Sequence, residues 1–304
     1  MTFAPIRLTV WTLFLLATTS WVSHFSVSQE ARTETHTYAE VDGEALELDL
    51  RVPQVCTPGA PGVVFLHGGG FQSGRRDVEP VAHFLDALAD AGIASASISY
   101  RLTMAGRGFG CDVPSREKQS AVEAAASDAA RALTWLQART DEAGLPTHWV
   151  IAGSSAGAEA ALWSAYSSVP NRWAGAMSFS GALDAGVQPR AMAPPLLAVH
   201  GTCDPLVPVG RDLHHFCSED DPGAWLLVGG PAWADSLRSV GVAAWTRRDC
   251  GARHSVCNSA LIHPEVKAMA VHWLRHGRDD NADVYVNAGG ESLQGGESCP
   301  QPCN

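Results

Sequence analysis

Between residues 62 and 276, short unbroken apolar runs alternate with longer segments whose apolar residues recur every three or four positions. This alternation constrains the fold more than any other feature. A run of about five apolar residues suits a strand covered on both faces, and a three-and-four repeat suits a helix with one apolar stripe. Such units build a mostly parallel sheet flanked by helices. The pattern predicts strands over 62–67, 93–100, 148–152, 173–179, 195–200 and 242–246. It predicts helices over 80–91, 115–139, from Ala156 onward, 232–240 and 264–276, with Gly92, Gly241 and Gly277 as stops. Ahead of this block, Asp42-Gly43 is a turn signal, and Leu46, Leu48 and Leu50 alternate with acids. An antiparallel hairpin over 36–53 is expected there.

Gly153-Ser154-Ser155-Ala156-Gly157 lies between a predicted strand and an alanine-rich helix. Small flanking glycines let the chain bend sharply and present the hydroxyl of Ser155, with a helix N-terminus behind it. Ser154 misses the centre of the glycine spacing and is the weaker candidate. The alternative without catalysis is an N-cap serine. His67-Gly68-Gly69-Gly70-Phe71 directly follows the strand 62–67. Successive glycines let N–H groups approach an oxyanion with no Cβ in the way. Gly69 and Gly70, with the N–H of Ala156, are therefore the candidate donors, and His67 is expected to order the loop.

A serine nucleophile needs a base, and the base needs an orienting acid, in the chain order Ser, acid, His. Asp204, in His200-Gly-Thr-Cys-Asp-Pro, follows a strand and is the expected acid, with Asp184 as rival. His254, in Cys250-Gly-Ala-Arg-His, is the expected base. His263 abuts Pro264 and reads as a helix cap. This chemistry requires no cofactor and no metal, and no two cysteines stand with two residues between them, so a metal site is not expected. Trp225 is the tryptophan singled out for substrate contact.

Residues 1–28 read as a secretory signal. Arg7 precedes an uncharged stretch from Leu8 to Val22, whose apolar core is shorter than the ~20 residues a membrane-spanning helix needs. Ser26 and Ser28 offer a cleavage site, leaving Gln29 first and no stable membrane association. Net charge is −11, and losing Arg7 with no acid makes it −12; a surface that acidic disfavours nucleic acid as a partner. Residues 29–277 are expected to form the catalytic domain. Residues 278–304, acidic and rich in Gly and Ser, are expected to form a tail with two cysteines.

With His-Gly-Gly-Gly-Phe and Gly-Ser-Ser-Ala-Gly as the carrying pair, the chain resembles the α/β-hydrolase carboxylesterases over roughly residues 37 to 276. The acid segment is similar to that of feruloyl- and acetyl-esterase-like and dienelactone-hydrolase-like members. The resemblance implies an α/β-hydrolase fold and ester hydrolysis through a Ser155–Asp204–His254 triad and an acyl-enzyme, on small or polysaccharide-linked esters. Too few residues precede the first strand for a large N-terminal cap, so an open site is expected, rimmed by the loops 103–114 and 209–230. Two rival readings are a prolyl-oligopeptidase-type peptidase and a binding protein that kept the fold without turnover.

Eight cysteines are many for a cytosolic enzyme and suit an oxidising compartment. Cys203 precedes Asp204, and Cys250 and Cys257 bracket His254. A disulfide from Cys203 or Cys217 to Cys250 or Cys257 is expected to tie the acid loop to the histidine loop. Cys299–Cys303 and Cys56–Cys111 are the remaining expected pairs.

Overall fold

The computed structural model describes residues 31–167, 172–287 and 290–293, together with Cys299 and Cys303. The expected signal segment lies outside the described residues. The chain opens with β1 (Arg32–Val41) and β2 (Glu44–Val52), an antiparallel pair. Asp42 and Gly43 both take positive φ, the geometry a two-residue hairpin turn requires. Then come β3 (Gly62–Leu66), α1 (Glu79–Asp90), β4 (Ser95–Ile98), α2 (Ser115–Gln137) and α3 (Thr140–Ala143). Next are β5 (Trp149–Ser154), α4 (Ala156–Tyr166), β6 (Gly175–Phe179), β7 (Ala182–Asp184) and β8 (Leu196–Gly201). The rest is β9 (Arg211–Leu213), β10 (Leu226–Gly229), α5 (Gly230–Ser239), β11 (Ala244–Asp249), α6 (Val256–Ile262), α7 (Pro264–Arg275) and β12 (Ala282–Val286).

Nine strands form one sheet in the order β1-β2-β4-β3-β5-β6-β8-β11-β12, parallel from β4 to β12. The central strands β3, β5, β6 and β8 are buried along their whole length because helices cover both faces, whereas the outer strands β1 and β2 alternate between core and solvent. Val63 and Phe65 meet α1, α6 and α7 on one face, while Val64 and Leu66 point to α2 and α4 on the other. That two-residue alternation splits the core into two clusters, one per face. The chain winds outward in one direction from β3 and in the other from β5. The loops after these two strands therefore diverge, opening a crevice at the carboxyl edge of the sheet.

The predicted helices and strands all form, with ends shifted by a few residues. Three short features carry too little periodicity to be read. They are the small sheet β7-β10-β9, the helix α6 and the single turn of α3. A further difference lies beyond residue 277, where a tail was expected. Residues 282–286 are strand β12, paired in parallel with β11 from Trp245↔Ala282 to Asp249↔Val286. Val284 and Val286 supply an apolar edge, and Arg238 binds Ala282 O and Asp283. Because β12 is parallel, it delivers the chain to the same edge as the acid and histidine loops.

That delivery decides the disulfides. Cys203 bonds Cys303 and Cys250 bonds Cys299, with Cα–Cα distances of 5.3 Å in both. Cys111 bonds Cys217, and Cys56 and Cys257 are free thiols. The expected direct tie between the acid and histidine loops does not form, nor do the Cys299–Cys303 and Cys56–Cys111 pairs. Both loops are instead tied to cysteines beyond β12, the acid loop to Cys303 and the histidine loop to Cys299.

Candidate active site

Ser155 occupies the bend between β5 and α4 with φ 50° and ψ −124°, a backbone conformation unusual for a residue with a side chain. The bend is enforced by close packing on both sides. A Cβ on Gly153 would lie 2.2 Å from Gly157 O, and one on Gly157 would lie 2.2 Å from Leu66 O. Only glycine fits at either position, which is the physical content of the glycine spacing. The Ser155 N–H is held by Phe179 O at 2.9 Å, and Ala156 begins α4, where the first N–H groups lack an intrahelical acceptor.

Ser155 Oγ lies 2.8 Å from His254 Nε2, and His254 Nδ1 lies 2.7 Å from Asp204 Oδ2. The expected nucleophile, base and acid thus form one hydrogen-bonded line, drawn from the ends of β5, β11 and β8. Asp204 Oδ1 accepts from the N–H groups of Leu206 and Val207 at 2.9 and 3.0 Å, which fixes the carboxylate plane. Burial favours its neutral form, but hydrogen bonding to His200 and His254 outweighs that and holds the carboxyl well below the usual carboxylate range. An ionised Asp204 accepts only, so His254 Nδ1 must be the donor. In the neutral ring Nε2 is then left to accept from the serine hydroxyl.

The loop after β3 completes the crevice. Gly69 adopts φ 124° and Gly70 φ 62°, and both line the cavity beside Ser155 and His254. His67 stacks on Tyr100 at 4.5 Å and donates Nδ1–H to Gly68 O at 2.8 Å, and the Tyr100 hydroxyl donates to His67 O at 2.6 Å. Burial pushes the His67 pKa down, so it is a neutral strut for the loop.

The remaining candidates lie elsewhere. Ser154 Oγ is buried and outside the line. Asp184 accepts from Trp225 Nε1 at 2.6 Å and from the Gly186 N–H, which ties β7 to the neighbouring loop. Trp225 is buried and lines neither cavity beside Ser155, so it is a packing residue rather than a substrate contact. His263 occupies the N-cap position of α7 ahead of Pro264, without a side-chain capping bond. Among the described residues, Cys111, Cys217 and Asp221 stand close enough to share a metal ion, but both sulfurs are committed to a disulfide.

Sequence reasoning passed over several residues. His200 Nε2 lies 3.3 Å from Asp204 Oδ2 and 3.1 Å from Val207 O, a second imidazole on the acid. A histidine four residues before the acid, at a strand end, was the available signal. The expected rim loops 103–114 and 209–230 do border the crevice, and Cys111–Cys217 joins them. They bring Phe109, His214 and His215 into the crevice wall together with Glu159 of α4.

Comparison with known proteins bears on the fold. The family model described as BD-FAE matches residues 48–187, just under half of the chain. The match spans the glycine loop and Ser155 and stops short of Asp204 and His254. The structure resembles a thermophilic esterase of the planctomycete Thermogutta terrifontis, with TM-score 0.59 and 21% identity over 80% of this chain and 91% of that one. The chain has the α/β-hydrolase fold. Esterase 2 of that organism with butyrate bound gives TM-score 0.59 and 21% identity, over 80% of this chain and 93% of that one. The same enzyme phosphorylated by paraoxon gives 0.57 and 22%, over 78% and 91%. No curated protein matches the chain. The hydrolase fold accounts for the switch-point crevice, and among the described residues no large cap domain covers it. Among the described residues, no helix is long and apolar enough to cross a membrane.

Proposed function

We propose that the chain is a secreted serine carboxylic-ester hydrolase. The observation that carries this reading is the unbroken line from Ser155 Oγ through His254 to Asp204. Ser155 attacks the ester carbonyl while His254 Nε2 takes its proton. Asp204 holds the Nδ1–H tautomer and stabilises the imidazolium. The N–H groups of Gly69, Gly70 and Ala156 receive the oxyanion, each such donor contributing about 3–4 kcal/mol in comparable enzymes. His254 then protonates the leaving alcohol, and water attacks the acyl-enzyme by the same route in reverse. Every step uses side chains and N–H groups of this chain.

Support for short acyl esters comes from the similar Thermogutta enzyme, known with propionate and with butyrate bound. Its phosphorylation by paraoxon supports an organophosphate-sensitive serine here. Export is supported by the signal-like residues 1–28 and by three disulfides.

The test is labelling with a fluorophosphonate probe alongside turnover of p-nitrophenyl esters and the matching anilides. The expected outcome is one label per chain, lost in Ser155→Ala, with esters hydrolysed far faster than anilides. Ser155→Ala should lose on the order of 10⁴-fold or more in ester turnover while melting as the parent does. Undiminished turnover in that variant would remove Ser155 from the reaction.

A further inference from the structure

The crevice has two lobes that share Ser155 and His254. The larger, about 390 Å³, runs along the glycine loop toward Arg75, Val78 and Pro80 on one side and Asn258 on the other. The smaller, about 180 Å³, is walled by Gly70, Gln72, Phe109, Glu159, His214 and His215. Leu206 and Val207 also line it, and the mechanism above uses none of the side chains of Gln72, Phe109, Glu159, His214 and His215.

Glu159 is the unusual member. It lies four residues after Ser155, one turn along α4, and is only 2% exposed. Its Oε1 lies 3.3 Å from His214 Nε2, and neither carboxyl oxygen has a hydrogen-bond partner among the described residues. A buried polar group left in that state costs about 1–3 kcal/mol, more when charged. The fold holds it in place nonetheless. Cys111–Cys217 pins the chain two residues from Phe109 and two from His215, and His215 and Phe216 both take positive φ to turn the loop inward. Phe109 packs edge-on to His214 at 5.2 Å. Lys118, also buried, donates to Gly223 O at 3.0 Å and sits 5.8 Å from the Phe109 ring.

We propose that the smaller lobe is a specificity pocket in which Glu159 accepts a hydrogen bond from a hydroxyl carried by the smaller half of the ester. The inference rests on the ester-hydrolase reading above. An apolar group placed there would seal the carboxyl away from water unpaired, whereas a hydroxyl satisfies it, so the pocket discriminates by penalty as well as by attraction. An anionic substituent would face Glu159. A cationic one would meet a cluster in which Lys118 already supplies positive charge toward Glu159. A neutral donor fits both neighbours. The volume argument assigns it to the smaller half, since the larger lobe takes the larger.

Two isosteric pairs test the proposal. In p-nitrophenyl glycolate against p-nitrophenyl propionate, a hydroxyl replaces a methyl in a small acyl half. In ethylene glycol monobenzoate against propyl benzoate, the same replacement is in a small alcohol half. The expected result is a kcat/KM ratio of about ten or more in favour of the hydroxylated member of at least one pair. That ratio should fall toward one in Glu159→Leu and fall less in Glu159→Gln, which keeps the shape and an acceptor oxygen. Ratios within one variant cancel any general loss of rate, and fluorophosphonate titration counts competent sites. Should Glu159→Leu not fold, the wild-type ratios and Glu159→Gln carry the test. Ratios near one for both pairs in the wild type overturn the proposal, as does a preference that survives in Glu159→Leu unchanged. If wild-type protein binds the fluorophosphonate and cleaves the esters without preference, only the pocket assignment falls. If it does neither, the ester-hydrolase reading falls with it.

Discussion

The two halves of the crevice are held by different means. Around Ser155 and the glycine loop, backbone packs on backbone: Gly157 lies against Leu66, and Gly153 against Gly157, with no room for a methyl group. Around Asp204 and His254 the loops after β8 and β11 also touch, with Gly201 against Ala252 and the Cys203 N–H on Ala252 O at 2.9 Å, and disulfides from Cys203 and Cys250 add a covalent hold. Close packing fixes a bend to a fraction of an ångström but tolerates no added atom. A disulfide restrains a loop mainly by limiting what the unfolded chain can explore. The first half should therefore fail abruptly on small substitutions and the second gradually on loss of its staples.

Gly157→Ala gives the largest expected effect. Its Cβ would collide with the backbone of Leu66 and His67, which cannot move without breaking the β3–β5 pairing. We expect at least about 3 kcal/mol of destabilisation and loss of turnover, read by denaturant unfolding. A stable, active variant would break the comparison. By turnover, Cys203→Ser with Cys250→Ser should come next, although losing two disulfides costs about 2–4 kcal/mol of stability each and so as much as Gly157→Ala or more. Turnover should fall, but less than in Gly157→Ala. If turnover fell as far, the staples would be setting catalytic geometry and the contrast would have to be redrawn.

A smaller effect concerns acid sensitivity. Burial, with the nearby charges of His214 and Lys118, lowers the His215 pKa to about 3 from an ordinary 6.5. Between those values the unfolded chain binds the extra proton and the folded chain does not, so stability declines as pH falls through that window. His215→Asn, which tolerates the positive φ, should flatten that decline. An unchanged slope of unfolding free energy against pH would count against it. The smallest effect is chemical. Burial pushes the Cys257 thiol up to about 12, so iodoacetamide at neutral pH should leave it unmodified in folded protein and alkylate it after unfolding. Fast labelling of Cys257 in native protein would show the histidine loop to be looser than described.

The same contrast explains what the sequence revealed. The elbow and the glycine loop are local, so their chemistry is written in consecutive residues, and the strand–helix alternation identifies the sheet. Asp204 and His254 were legible because chain order and position after a strand restrict the choice. Disulfide partners were not legible, because pairing depends on where Cys299 and Cys303 come to lie, and a five-residue strand ahead of a Gly/Ser-rich stretch gives little periodic signal. Glu159 reads as an ordinary helix residue. Its meaning comes from burial and from His214, fifty-five positions later, neither of which spacing encodes.

Cys203–Cys303 and Cys250–Cys299 also have a consequence for biogenesis. Residues 203 to 250, the two sulfur bridges and the short run 299–303 make one covalent ring that contains Asp204 and closes four residues before His254. That ring cannot close until residue 303 has left the ribosome. Every earlier element can fold during synthesis, but the acid and histidine loops stay unlinked until then. A chain that stops short of residue 299 would keep its sheet and its elbow and never acquire the ring.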